Sequence, residues 1–173
     1  MGAGKTTVGR TLARRLGWTF QDLDEIIEHR QGKSVAGIFA EAGEAGFRLM
    51  ESAALEELLS QKEEAVHGSL IVALGGGAFV QPHNRAALNN AEAGAITVLL
   101  EAPLEELRRR CTRDGGTRPL ARGEKEFAQL FEERRAAYAL AQFRVETMNK
   151  TVEEVAAEIE HILTPVTEPE VKQ

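Results

Sequence analysis

The tightest constraint on this chain is Gly4-Lys5-Thr6, which opens an amphipathic run. It matches the second half of the phosphate-binding pattern G-x-x-x-x-G-K-[ST]. Glycines there let backbone N–H groups turn inward around phosphate oxygens, and the following helix adds the positive end of its dipole. Lys5 would reach the β- and γ-phosphates, and the Thr6 hydroxyl would ligate Mg²⁺. Counting back from Gly4, the first glycine of the pattern falls before Met1, as does the strand that normally leads into such a loop. The competing reading is a flexible glycine-rich start ahead of an ordinary helix.

The rest of the chain alternates helical and extended patterns. Val8, Leu12 and Leu16 recur at helical spacing from Lys5 to Leu16, and Gly17 ends the run. Trp18-Thr19-Phe20 reads as a short strand closing at Asp22-Leu23-Asp24, followed by a helix over Leu23–Arg30. Ser34 is suited to cap a long helical stretch through Leu59, with a bend or break near Gly43 and Gly46. Leu70–Leu74 and Ala95–Leu100 are continuous apolar runs, the pattern of strands buried on both faces. Pro82 to Leu88, Leu104 to Arg110, Glu124 to Gln142 and Val152 to Leu163 read as helices, and Phe143 to Thr147 as a strand. Residues 112–123 lack apolar periodicity and are expected to form an exposed mobile loop, and 165–173 a flexible tail. This alternation predicts one α/β domain over residues 1–164, a parallel sheet with helices on both faces.

Length and charge narrow the function. A chain of 173 residues is long enough to bury a real core. No apolar run approaches the roughly 20 residues that span a membrane, and no signal peptide is visible. A net charge of −6 argues against broad nucleic-acid binding, although local arginines can still hold small anions. The lone Cys111 excludes an internal disulfide and points to a reducing, cytoplasmic setting.

Ligands of open parallel sheets bind at the carboxyl ends of the strands. Gly4-Lys5-Thr6, Asp22 with Asp24, and Gly75-Gly76-Gly77 all fall at such ends. At a strand end, two carboxylates two residues apart project from the same side. One would organise hydrated Mg²⁺ and the other accept a proton from, or orient, a hydroxyl. The structural alternative for Asp22 is a helix cap with Glu25 completing a capping box, a role that leaves Asp24 unexplained. Three successive glycines after a buried strand point to backbone packed closely against a ligand. Arg48, Arg118 and Arg134 lie in segments able to face one cleft, and Arg118 in its glycine-flanked loop can cover transferring phosphates. At least two of Arg108, Arg109 and Arg110 read as a solvated helix face, and the four histidines lack metal-ligand spacing.

Taken in order, Gly2-Ala3-Gly4-Lys5-Thr6-Thr7, Asp22-Leu23-Asp24, Ile38-Phe39, Gly43-Glu44, Phe47-Arg48, Gly75-Gly76-Gly77, Arg118-Pro119-Leu120 and Arg134 with Tyr138 resemble the shikimate kinases. The resemblance runs from Met1 to about Leu163. It implies a three-layer fold with a five-stranded parallel sheet in order 2-3-1-4-5, whose central first strand is absent here, and a mobile lid at about 112–123. It implies a monomer that transfers the ATP γ-phosphate to the 3-hydroxyl of shikimate in aromatic amino-acid biosynthesis. On this resemblance Gly2 to Thr7 bind ATP, Lys5 acts on the phosphates, and Thr6 and Asp22 hold Mg²⁺. Asp24 serves as the base. Arg48 and Arg134 clamp the shikimate carboxylate, Gly75 to Gly77 line its ring, Arg118 is the lid arginine, and Arg110 stacks on adenine.

Three departures bear on these expectations. Ala136-Ala137 stands where the family often has Pro-Leu, and the adenine contact falls on Arg109 or Arg113 if the alignment slips. The missing first strand points to a start site assigned downstream, or to a truncation. Six apolar residues of a central strand contribute on the order of 10 kcal/mol by burial, comparable with the net stability of a domain. Without roughly ten upstream residues the chain is therefore expected to fold poorly. Two further readings are a P-loop kinase for another polyol such as gluconate, and an inactive shikimate-binding module.

Overall fold

The structure is a computed structural model and describes residues 2–60, 69–91, 94–113 and 123–163. Helix α1 (Lys5–Leu16) is followed by strand β1 (Thr19–Asp22), and helices α2 (Leu23–Gln31) and α3 (Val35–Ser60) lead to β2 (Leu70–Ala73). A 3₁₀ turn (Ala78–Val80), α4 (Pro82–Asn89), β3 (Val98–Glu101), α5 (Leu104–Arg113), α6 (Glu124–Tyr138), β4 (Phe143–Glu146) and α7 (Val152–Leu163) complete the order. The Leu70 and Ala95 runs yield shorter strands than their apolar content suggests.

Helix boundaries follow local chemistry. Gly17 closes α1 in the left-handed conformation, φ 68°, with its N–H on the Ala13 carbonyl. Gly43 breaks α3 at φ 69° and ψ −178°, so the half carrying Ile38 and Phe39 turns against the half carrying Phe47. Those two rings pack with centroids 4.7 Å apart.

The strands pair in parallel, β1 with β2 and β3 with β4. Their apolar side chains meet the helices in shared clusters. Leu23, Ile27, Ile38, Phe47, Leu55 and Leu88 form the core between α2, α3 and α4, with Val72 and Leu74 against it. Val8 and Leu12 of α1 pack with Val145, Val155 and Ile159, and both Ile71 of β2 and Val98 of β3 reach that same cluster. Helix α1 thereby ties the two strand pairs together through side-chain packing.

Two expectations are corrected. The apolar strands are not buried on both faces: Leu70 is 38% exposed and Ile96 49%. Among the described residues β2 and β3 each pair with a single strand, and Ile96 lies ahead of β3, so neither Leu70 nor Ile96 is covered on every side. Thr112, assigned above to the exposed loop, instead continues α5, which keeps its helical hydrogen bonding to Arg113. The remainder of that loop to residue 122, with Arg118, and the expected tail at 165–173 lie outside the described residues.

Candidate active site

The β1–β2 register builds the site. Asp22 lies opposite Ala73, so the chain two residues beyond each strand delivers Asp24 and Gly75 to the same end of the pair. Gly4 sits at φ 82° where the phosphate loop enters α1, and the Val8 N–H bonds back to its carbonyl at 2.9 Å. Lys5 and Thr6 occupy the first positions of that helix, both half-buried.

Asp22 joins the loop to the strand. The Thr6 hydroxyl donates to Asp22 Oδ2 at 2.6 Å, and the Asp24 N–H donates to Oδ1 at 3.0 Å. One carboxylate therefore caps α2, as the structural reading of Asp22 expected, and also holds the Thr6 hydroxyl of the phosphate loop. The capping box is not closed by Glu25, whose carboxylate pairs with Arg10. The Asp24 carboxylate, for its part, lies against Gly75. Asp24 is already helical, strand alternation no longer applies, and its carboxylate turns to the glycine loop.

That loop is a wall of bare backbone. A Cβ on Gly75 would lie 2.5 Å from Glu51 Oε1 and 2.6 Å from Asp24 Oδ1, and one on Gly77 would collide with the Arg48 guanidinium. The triplet does bring backbone into close approach, but what lies against Gly75 and Gly77 here is the protein's own Asp24, Glu51 and Arg48 side chains.

Around it stands a charged cluster. Arg48 Nη1 donates to Glu51 Oε2 at 2.8 Å and Nη2 to Glu44 Oε1 at 3.2 Å, while its guanidinium lies 5.5 Å from the Phe47 ring centroid. Arg134 of α6 is 7% exposed, and its charge acts on the Glu51 carboxylate. Both are packed against the site rather than solvated. Glu51 itself is fully buried, with Oε1 lacking a hydrogen-bond partner. Burial pushes its pKa up, Arg48 pulls it down, and the neighbouring Asp24 charge raises it further, leaving it above the usual carboxylate value. Sequence reasoning missed Glu51. The available signal was its i, i+3 spacing from Arg48, which puts acid and base on one helical face.

Arg110 stands apart, on α5. Its Nε donates to Glu106 at 2.7 Å, Nη1 to the Thr147 hydroxyl at 2.9 Å, and Nη2 to the Thr147 carbonyl at 3.0 Å. Arg109 is 63% exposed along its side chain and shares Glu106, whose pKa falls to about 2 through hydrogen bonds from Arg109 and Arg110. This matches the solvated-face reading for Arg109. The α5 helix also backs the loop directly, since a Cβ on Gly2 would approach the Leu107 carbonyl to 2.5 Å.

A glycine loop entering a helix N-terminus, at the carboxyl end of parallel strands and linked by contacts to a buried arginine–carboxylate cluster, is the arrangement of a P-loop kinase of the α/β class. The family model for shikimate kinase matches residues 1–164. Shikimate kinases of Persephonella marina and Geobacter sulfurreducens are 37% and 43% identical, covering 92% of this chain in both cases and 92% and 84% of their own lengths. A solved Acinetobacter baumannii shikimate kinase in complex with shikimate superposes at a TM-score of 0.82, with 37% identity over 94% of this chain and 87% of that one. The chain belongs to the shikimate kinase family.

Proposed function

We infer that the protein phosphorylates shikimate from ATP, giving shikimate 3-phosphate in the shikimate route to aromatic amino acids. One observation carries the reading. Thr6, Asp22, Asp24, Gly75, Glu51 and Arg48 form an unbroken series of contacts from the phosphate loop to the arginine cluster. A substrate bridging that series presents its hydroxyl to Asp24 and a carboxylate to Arg48 and Arg134, which bind it with charge-assisted, bidentate geometry.

In this proposal Gly2, Ala3, Gly4, Thr6 and Thr7 surround the ATP phosphates, Lys5 neutralises charge on the group in flight, and Arg110 lies against adenine. Arg118 covers the phosphates from the lid. Asp24 accepts the proton of the attacking hydroxyl, and Gly75 to Gly77 let the ring sit against backbone. Glu51 holds Arg48 in place, so the guanidinium is oriented before substrate arrives.

The residues beside the loop fit Mg²⁺. Among the described residues no cluster of three or more His, Cys, Asp or Glu is suited to a metal ion. Thr6 and Asp22 nevertheless offer two hard oxygen donors, which suits an ion that keeps several waters and shares nucleotide phosphates. Bound there, Mg²⁺ would supply charge neutralisation at the phosphates. Among the described residues no helix is long and apolar enough to cross a membrane. We assign the enzyme to the cytoplasm as a monomer without nucleic-acid partners, in keeping with its single cysteine and net charge of −6.

A coupled assay of ADP release tests the reading. Turnover should require shikimate and magnesium-ATP together, with little released on gluconate. Faster release on gluconate, or binding of shikimate with no ADP formed, would reject it.

A further inference from the structure

We propose that Tyr138 is a positioning residue for the carboxylate end of the site, setting the spacing between the glycine loop and Arg134; this rests on the shikimate reading above. The loop has no side chains of its own to pack at residues 75–77, and glycine backbone has the most freedom to lose. Hydrogen bonds to its carbonyls therefore carry much of its order. The Gly75 and Gly77 carbonyls accept the Ala78 and Val80 N–H groups within the turn, at 3.3 and 3.0 Å. The Gly76 carbonyl takes no part in those two bonds. It accepts instead from the Tyr138 hydroxyl at 2.6 Å, from a residue 62 positions away on the last turn of α6.

Beyond the triplet, α4 performs the same task. Asn84 donates to the Ala78 carbonyl at 3.0 Å, and Arg85 to the Phe79 and Val80 carbonyls at 2.9 and 2.6 Å. Those three carbonyls are therefore held from α4, whereas Gly76 is held from α6. That choice of helix has a consequence. Tyr138 lies four residues after Arg134 and so on the same helical face. Its hydroxyl anchors to the loop the very helix that carries one jaw of the clamp. The other jaw, Arg48, already lies against Gly77. Tyr138 thereby fixes both arginines relative to one stretch of backbone without touching the substrate.

Tyr138→Phe removes the hydroxyl and keeps the ring. The expected result is a rise in the dissociation constant and KM for shikimate of about 3- to 10-fold, the scale of one hydrogen bond. Magnesium-ATP affinity stays unchanged and kcat within about twofold. Amide exchange at Gly75 to Ala78 should quicken in the ligand-free variant. Adding Arg134→Lys to Tyr138→Phe should cost less than Arg134→Lys costs the parent, because the clamp is already misplaced. Unchanged shikimate affinity, or equal weakening of shikimate and ATP with a fall in Tm, would overturn the proposal. If the parent itself binds no shikimate, the substrate reading fails and this proposal falls with it. Loop exchange in the same variant then shows separately whether the hydroxyl anchors Gly76.

Discussion

The two ends of the site are built on different principles. On the assignment proposed above, the ligand-facing groups of the phosphate end are contiguous in sequence, Gly2 to Thr7, and much of the recognition falls to backbone N–H groups and a helix terminus. At the proposed carboxylate end recognition falls to side chains from α3 and α6, beside a loop whose Gly75 and Gly77 lie close against Asp24, Glu51 and Arg48. The first needs one local conformation. The second needs Arg48, Arg134 and a buried counter-charge to be brought together by the whole fold, and its cost is the burial of Glu51. On that assignment a phosphate group is met by a local device, whereas discrimination among acids rests on tertiary packing.

The sharpest way to break this division is Lys5→Ala. Removing the point charge from the phosphate end should lower turnover by roughly 10³-fold, while calorimetry still shows shikimate bound as in the parent. Parallel loss of shikimate binding would mean that the two ends are not separable. Asp24→Asn comes next, at roughly 10²-fold in turnover with ATP affinity little altered. Asp22→Asn should instead raise the magnesium concentration needed for half-maximal rate. If both variants keep the parent's magnesium dependence, the roles assigned to the two carboxylates are wrong.

At the other end, Arg48→Ala should raise the shikimate dissociation constant ~10- to 150-fold, the equivalent of 1.5–3 kcal/mol for a charge-assisted bond. It should also lower Tm, because the buried Glu51 carboxylate loses the guanidinium that partners it.

The smallest effect sharpens the comparison through pH. The folded protein holds the Glu51 proton more tightly than the unfolded chain does, its pKa being raised above 4.5. Above that value the native state binds more protons than the unfolded one, so this group makes stability fall as pH rises through its folded pKa. Glu51→Gln should flatten that slope in urea titrations at successive pH values. An identical pH profile in parent and variant would show that burial of Glu51 is not felt as a cost.

The same contrast explains what the sequence disclosed. Gly4-Lys5-Thr6 and the helix behind it are local, and so was their reading, down to Gly17 at the helix end. The glycine triplet was legible as a close approach because nothing local required it, but what approaches was not. Arg48 and Arg134 gained their meaning from the family resemblance, since periodicity alone cannot tell a buried arginine from a solvated one. Glu51 escaped because a carboxylate amid a helix rich in glutamate reads as surface, and only the packing against Gly75 shows otherwise. Asp22 caps α2 and at the same time accepts the Thr6 hydroxyl, so the cap reading does not exclude the proposed site role that the sequence presents as its alternative. The strand runs at Leu70 and Ala95 misled on burial because apolar content reports what a strand can bury, while the covering depends on neighbours.

The central claim is that the α3–α6 end reads a carboxylate. Isothermal titration of shikimate, and of an analogue lacking that carboxylate, into the parent protein and Arg134→Ala tests it most directly. The account predicts strong preference for shikimate in the parent, and near-equal affinity for the two compounds in the variant. Undiminished preference for shikimate in Arg134→Ala would contradict it.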